Sequence, residues 1–146
     1  MTSTPIPVLS REHLTDLLRA HDITPTHQRI EIAQVLFSRC EHLSAEQIMA
    51  LVNRRHSETS KATVYNTLRL FLDKKLIREV IVDPDKAFFD PNTTPHHHFY
   101  DTHSGELIDI PATDLSIHGL PEPPRGMLTE SVDIIVRIRP GTAATA

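Results

Sequence analysis

The chain has 146 residues, of which 39% are hydrophobic and 23% are charged, and its formal net charge is −4. This composition supports a modest hydrophobic core and argues against a wholly disordered chain, and no apolar run is long enough to cross a bilayer. Cys40, expected in a helical core stripe, is the only cysteine, which excludes an internal disulfide and a four-cysteine zinc site. The N-terminus lacks the pattern of a secretory signal, so we expect a cytoplasmic protein without a membrane partner.

Charge is divided unevenly along the chain. Residues 1–80 carry 11 Lys and Arg against 9 Asp and Glu, whereas residues 81–146 carry 4 against 10. A mildly basic front part indicates an anionic partner such as nucleic acid, and an acidic rear part indicates bound cations.

Four helices are predicted in the front part. Ser10 and Ser60 are placed to cap the first and the fourth, and the second begins after a break at residues 24–26. Ser44 and Gln47 form a capping box at the start of the third helix. Apolar residues recur at helical spacing after each of these starts, which predicts four amphipathic helices around one core.

A predicted hairpin follows the fourth helix. Residues 76–82 and 87–90 are β-prone, and the turn-forming residues 83–86 separate them. The third and fourth helices are joined by a short polar turn, and such a pair followed by a hairpin is typical of a winged helix. We therefore predict an α+β fold, with a winged helix-turn-helix domain over residues 1–91, a hinge over 91–95 and a small α/β dimerisation domain over 96–146.

Three consecutive histidines open the rear part of the chain. If residues 96–102 form a strand, His96 and His98 lie on one face and His97 on the other. Residues 102–106 can turn the chain back into a second strand that carries Asp109 towards the first face. Imidazole and carboxylate together suit divalent iron, manganese or zinc, although a polar loop with a chance histidine run is the alternative.

The rest of the rear part has less regular patterning. Residues 111–127 are rich in Pro and Gly, and Leu115, Ile117 and Leu120 there are expected to pack locally. Residues 132–138 alternate in a way that predicts a final strand. This strand and the hairpin at 98–110 form the predicted dimer surface.

In a winged helix the second helix of the motif enters the major groove of DNA. Arg69 and the lysine at the helix start can pair with phosphates, Asn66 can address a base edge, and Tyr65 can contact a thymine methyl or a sugar. Arg29, at the start of the second helix, can contact the DNA backbone. The predicted DNA-binding residues are Arg29, Lys61, Thr63, Tyr65, Asn66 and Arg69. Because one protomer presents one such helix, we predict a homodimer on double-stranded operator DNA.

With these residues in view, the chain resembles the ferric uptake regulator family over about residues 14–111. The motifs that carry the resemblance are Thr24-Pro25 with Arg29, His42-Leu43-Ser44-Ala45-Glu46, Lys61-Ala62-Thr63-Val64-Tyr65, Phe89-Asp90, and His96-His97-His98 followed by Gly105-Glu106-Leu107-Ile108-Asp109. The resemblance implies a winged-helix domain, a dimerisation domain and metal-dependent binding to operator DNA.

The resemblance also implies a regulatory metal site. Its ligands would be His42, Asp90, His96, His98 and Asp109, holding Fe²⁺, Mn²⁺ or Zn²⁺. The first two belong to the DNA-binding domain and the others to the dimerisation domain. One bound ion would fix the angle between the domains and thereby change the affinity for DNA.

The sequence departs from the family pattern in informative places. Asp101 and Ser104 occupy the positions of a paired Cys-x-x-Cys, so the structural zinc site is lost, and Pro95 replaces a ligand of a second site. The His-His-His-Phe-Tyr form resembles the iron response regulator branch, which is linked to haem and to DNA binding when iron is scarce. That likeness implies His96, His97 and His98 as candidate haem ligands.

The leading hypothesis is therefore a DNA-binding regulator of iron homeostasis that responds to haem, to a divalent metal, or to both. The alternative is a metal-co-repressed uptake or peroxide regulator that uses iron, manganese or zinc. A non-haem iron enzyme would use His96, His98 and Asp109 as its triad, but too few strands are predicted to enclose a substrate, and we expect no enzyme. A metal buffer would leave the helix-turn-helix unexplained.

Overall fold

The computed structural model describes residues 9–38, 42–55 and 59–142, and Cys40 lies outside these ranges. The chain divides into two compact units between Thr93 and Thr94, a point within the predicted hinge. Among the described residues, no helix combines the length and the apolar character needed to cross a membrane.

The first unit contains the four predicted helices, of which three start at their predicted caps and the second starts after the predicted break, with Thr26 as its N-cap. They are α1 (Arg11–Ala20), α2 (His27–Phe37), α3 (Ala45–Arg55) and α4 (Lys61–Asp73). The Ser60 hydroxyl accepts the N–H of Thr63 at 3.2 Å. The capping box is confirmed, because the Ser44 N–H donates to Gln47 Oε1 at 2.9 Å and the Gln47 N–H donates to Ser44 Oγ at 3.2 Å.

The core of the first unit lies between these helices. Its buried side chains include Leu14 and Leu18 of α1, Ile48 of α3, and Leu68 and Phe71 of α4. α2 is buried on more of its surface than the predicted stripe, because it packs against α1, α3 and α4. Side chains on more than one face of α2 are therefore buried, whereas an amphipathic pattern predicts burial of one face only.

The predicted wing follows α4 as two antiparallel strands, β1 (Arg78–Asp83) and β2 (Lys86–Asp90). An isolated bridge joins Phe89 of β2 to Leu43, with the Phe89 N–H donating to the Leu43 carbonyl at 2.8 Å. This bridge attaches the wing to the start of α3. The predicted winged-helix architecture is therefore confirmed.

The second unit is a three-stranded sheet in the order β4-β3-β5, formed by β3 (His96–Asp101), β4 (Leu107–Pro111) and β5 (Ile135–Ile138). β3 is central, pairing antiparallel with β4 and parallel with β5. The predicted histidine hairpin is present. The final strand starts at Ile135 and is shorter than the alternation over 132–138 predicts.

The long connection from β4 to β5 differs from the predicted small α/β domain. Within residues 94–142 the structure has strands and one 3-10 turn (Ala112–Asp114) but no α-helix. Pro121, Pro123 and Pro124 interrupt any helix here, because proline lacks the backbone N–H and clashes with the preceding turn. The predicted local packing of Ile117 and Leu120 is wrong, since they are 41% and 55% exposed.

Candidate functional site

Two histidines and one carboxylate converge on one face of the second unit. Alternation along β3 puts His96 and His98 on the same side, where both are buried, and the β3–β4 register places Asp109 opposite His98. Asp109 Oδ1 lies 3.3 Å from His98 Nε2 and 3.6 Å from His96 Nε2. The ligand atoms of these three residues all lie within 4.8 Å of one another. The hairpin thus brings together the three residues that the strand pattern predicts.

The ring of His96 is oriented by its own backbone. Its Nδ1 lies 2.6 Å from the carbonyl oxygen of Thr94, so Nδ1 carries the proton and donates it. Nε2, the other ring nitrogen, then faces Asp109, as in metal-binding histidines whose Nδ1 is held by a carbonyl and whose Nε2 binds the ion. An imidazole lone pair and a carboxylate oxygen facing each other form a donor set that fits a cation.

A second imidazole–carboxylate pair lies in the first unit. His42 Nε2 is 3.1 Å from Asp90 Oδ2, and both side chains are largely buried. The Leu43–Phe89 bridge creates this pair, because His42 and Asp90 are the residues adjacent to the two bridged positions. The other oxygen of Asp90 accepts the N–H of Asn92 at 2.9 Å, which fixes the carboxylate. The five predicted ligands are thus held as two in the first unit and three in the second.

His97 is engaged differently from its neighbours. It lies on the opposite face of β3 and its Nδ1 accepts the backbone N–H of Ile134 at 3.1 Å. The rings of His96 and His98 lie 4.5 Å apart, edge to face, on the other side. The structure therefore does not gather the three haem candidates at one point.

Most of the predicted DNA-binding residues lie on the exposed face of α4. Lys61, Tyr65, Asn66 and Arg69 are exposed, and the Lys61 ammonium lies 5.6 Å from the centre of the Tyr65 ring. Thr63 is half-buried, and its hydroxyl lies 2.9 Å from that of the N-cap serine. Four of the five side chains predicted on this helix can therefore reach a ligand, while Thr63 serves the cap.

Arg29 has a structural contact that sequence reasoning missed. Its side chain is half-buried, and the guanidinium donates to the carbonyl of Thr24 at 2.8 Å. The contact braces the loop between α1 and α2. The nearby Thr24-Pro25-Thr26 break was the only sequence signal for it.

A cleft of about 370 Å³ separates α4 from the wing and was also missed. Tyr65 and Arg69 line it from the helix, and Glu79, Ile81 and Asp83 line it from β1. The wing therefore presents an acidic wall beside the exposed face of α4. Strand alternation puts these three β1 residues on one face, and the position of the wing beside α4 makes that face line the cleft.

The turn at the tip of the histidine hairpin is held by hydrogen bonds to the side chain of Asp101. Asp101 Oδ1 accepts the N–H of His103 at 2.8 Å and that of Ser104 at 3.2 Å. These bonds, the one from His103 first, lower the pKa of Asp101 below its ordinary value of 3.8. A carboxylate thus stabilises this turn through backbone hydrogen bonds.

A model of the ferric uptake regulator family matches residues 20–120. The chain belongs to the ferric uptake regulator family. Its α+β fold with a winged helix is thereby confirmed, while the iron response regulator branch stays a prediction.

The proteins to which this chain is similar are named for different regulatory roles. It is 32% identical over 93 residues to the peroxide-responsive repressor PerR of Staphylococcus epidermidis, a match covering 64% of this chain and 62% of the relative. The Vibrio cholerae ferric uptake regulator is 20% identical with a TM-score of 0.67, and 86% of this chain covers 98% of that one. The Pseudomonas aeruginosa ferric uptake regulator with manganese is 22% identical, with a TM-score of 0.64 and coverages of 86% and 96%. The two structural similarities show the fold alone.

Proposed function

We propose that this chain is a DNA-binding transcriptional regulator of iron homeostasis whose affinity for an operator is set by a divalent ion, Fe²⁺ or Mn²⁺. The observation that carries the proposal is the register of the histidine hairpin, which directs His96, His98 and Asp109 to one point. Members of the family are transcriptional regulators, so the non-haem iron enzyme is set aside.

The ligand set is proposed to comprise both groups of residues. His42 and Asp90 offer a nitrogen and an oxygen from the first unit, and His96, His98 and Asp109 offer three donors from the second. Mixed imidazole and carboxylate ligands suit Fe²⁺, Mn²⁺ and Zn²⁺, whereas metals that prefer thiolate ligands would need cysteine in the site. A divalent ion would balance the negative charges of Asp90 and Asp109.

The proposed switch follows from the division of the ligands between units. His42 precedes α3 and Asp90 ends the wing, so both are attached to the helix-turn-helix. If they and the hairpin residues bind one ligand, the two units are restrained to one relative arrangement. Such restraint changes DNA affinity only if the arrangement it selects differs from the average one without the ligand.

The DNA-facing surface is proposed to be the exposed side of α4. Lys61 and Arg69 supply positive charge for phosphates, and Asn66 supplies an amide for a base edge. Two such helices in a homodimer would read an inverted repeat. The half-buried Phe99 and Val136 and the exposed Ile108, on one face of the second sheet, are the surface proposed for the second copy.

Fluorescence anisotropy tests the proposal. Metal-free full-length chain is titrated into a labelled inverted-repeat duplex selected from a random library, at one fixed salt concentration because phosphate contacts are salt-dependent. Anaerobic Fe²⁺, Mn²⁺ and haem are then added separately. We expect a divalent ion to change the Kd in the wild type but not in His96→Ala, and Arg69→Ala to weaken DNA binding while it still binds Mn²⁺.

The exposed His103→Ala variant, altered in the same hairpin, is the matched control and should behave as the wild type. DNA affinity that no ion changes would contradict the proposed switch. Tight binding of Mn²⁺ with no sequence-selective DNA binding would instead support a metal buffer. A response to haem alone would favour the haem mechanism of the iron response regulator branch.

A peroxide-responsive repressor is the second candidate function. The observation that favours it is the 32% identity to a curated relative named for that role, although the match spans only 62% of that relative. Hydrogen peroxide should then abolish DNA binding by the Fe²⁺-loaded chain and spare the Mn²⁺-loaded chain. Equal DNA affinity before and after peroxide in both forms would contradict this candidate.

A further inference from the structure

The middle histidine of the run makes a contact that links two strands distant in sequence. Ile134 directly precedes β5, and its N–H donates to the Nδ1 of His97 while its carbonyl accepts the N–H of His98 at 3.2 Å. Both backbone polar groups of Ile134 are thus held by β3. The preceding connection, residues 115–133, has no helix or strand in the described chain.

The direction of this hydrogen bond defines the state of the His97 ring. The donor is a backbone N–H, so Nδ1 must be the acceptor, and a neutral ring then carries its proton on Nε2. Neither nitrogen of that tautomer offers a free lone pair to a metal or to haem iron while the bond lasts. His96 is in the opposite state, since its Nδ1 donates to Thr94 and leaves Nε2 as the electron-pair donor.

From these contacts we infer that His97 is a positioning residue, which attaches the start of β5 to the strand that carries His96 and His98, and is not a ligand. This role rests on the proposed function, because it matters through the ligand strand that it fixes. The parallel pairing of β3 with β5 begins at His98 and Ile135, directly beside the contact. The three histidines therefore divide into two outer ligands and one internal strand clamp.

Amide hydrogen exchange of the full-length chain, read over residues 132–138, tests the clamp. His97→Leu removes the acceptor and leaves the Ile134 N–H without it, so exchange there should accelerate about tenfold or more. Asn Oδ1 occupies nearly the position of His Nδ1, whereas the Gln oxygen lies one bond further out. His97→Asn should therefore restore slow exchange, and His97→Gln should not.

Binding of Co²⁺, followed by its visible absorption, separates the clamp from a ligand role. We expect the three His97 variants to keep the shape of the wild-type Co²⁺ spectrum, with a weaker Co²⁺ affinity in His97→Leu and His97→Gln than in His97→Asn, which keeps the strand fixed. His96→Ala should lose the spectrum and keep the wild-type exchange at 132–138. Equal exchange in wild type and His97→Leu would overturn the inference. The inference would also be overturned if His97→Asn lost the Co²⁺ spectrum, or the haem Soret shift, as completely as His96→Ala does. Retention of the Co²⁺ spectrum by His96→Ala would contradict the proposed metal site, and the exchange rates alone would then decide the clamp.

Discussion

Neighbouring side chains in the histidine hairpin contact different parts of the second unit. His96 and His98 face Asp109, His97 faces the start of β5, and Asp101 closes the turn. The direction of each side chain follows from its parity along β3, so a shift of one position would exchange the tasks.

Asp101 gives a pH-dependent prediction at this scale. Its pKa is lowered in the folded chain, so its carboxylate contributes stability above the ordinary value of 3.8, and that contribution is lost as the pH falls through the lowered pKa. Asp101→Ala should lower the unfolding midpoint in urea at pH 7, and the difference from wild type should shrink at pH values below both pKa values. Asp114→Ala, at another exposed carboxylate of the second unit, serves as control. A difference that is independent of pH would contradict this role.

At the scale of elements, α4 and the wing form the surface that is proposed to face DNA. The start of α4 depends on its cap, because the first N–H groups of a helix have no partner within the helix. The wing lies across the cleft from the exposed face of α4 and adds Glu79 and Asp83 on that side. One element therefore supplies the positive face and the other an acidic wall.

Removal of the α4 cap should destabilise this helix. Ser60→Ala deletes the hydroxyl that accepts the Thr63 N–H, and we expect a loss of about 1 kcal/mol in the free energy of unfolding, measured by urea titration. Ser60→Asp keeps a capping oxygen and should retain most of the stability. Equal losses in both variants would show that the hydroxyl is not stabilising α4 as a cap.

Neutralisation of the acidic wall should strengthen DNA binding. Glu79 is exposed on β1 and lines the cleft beside Arg69, so its charge opposes an approaching phosphate. Glu79→Gln should lower the Kd for DNA by about twofold to fivefold at low salt, and the gain should fade as salt screens the charge. Glu12→Gln on α1 is the charge-matched control. A similar gain in both variants would indicate a net-charge effect and no role for the wall.

At the scale of the whole molecule, the proposed ligand set is divided between the two units. A ligand that binds the folded chain and not the unfolded one raises the free energy of unfolding, by an amount that grows with the logarithm of the ligand concentration once that exceeds the Kd. The coupling between ion binding and folding is therefore measurable without knowing the operator. The same residues should control both the stability gain and the change in DNA affinity.

Mn²⁺ should stabilise the wild-type chain and EDTA should reverse the effect. At an Mn²⁺ concentration about 100 times its Kd, the free energy of unfolding should rise by about 2.7 kcal/mol. His96→Ala should show little of this gain, whereas His103→Ala should keep it. Thermal unfolding with and without Mn²⁺ provides the measurement, and an equal rise in both variants would place the ion elsewhere.

The sequence alone determined the features that depend on residues a few positions apart. The caps of the helices, the turn of the wing and the shared face of His96 and His98 all follow from helical spacing, turn chemistry and strand alternation. His42 and Asp90 were reached only through the family resemblance, since no local pattern relates them. The ligand role of all five residues stays a prediction.

Only the tertiary structure decided the contacts between distant segments. The Leu43–Phe89 bridge pairs His42 with Asp90. The Ile134 N–H donates to His97, a residue that the sequence offered only as a candidate haem ligand. Spacing rules describe which face a residue occupies, but strand pairing across a long connection depends on register, which is settled by the packing of the whole unit. Alternation along one strand was therefore enough to predict that His96 and His98 share a face. The partner of each histidine, Asp109 for the outer two and Ile134 for His97, depends on how β3 pairs with β4 and β5.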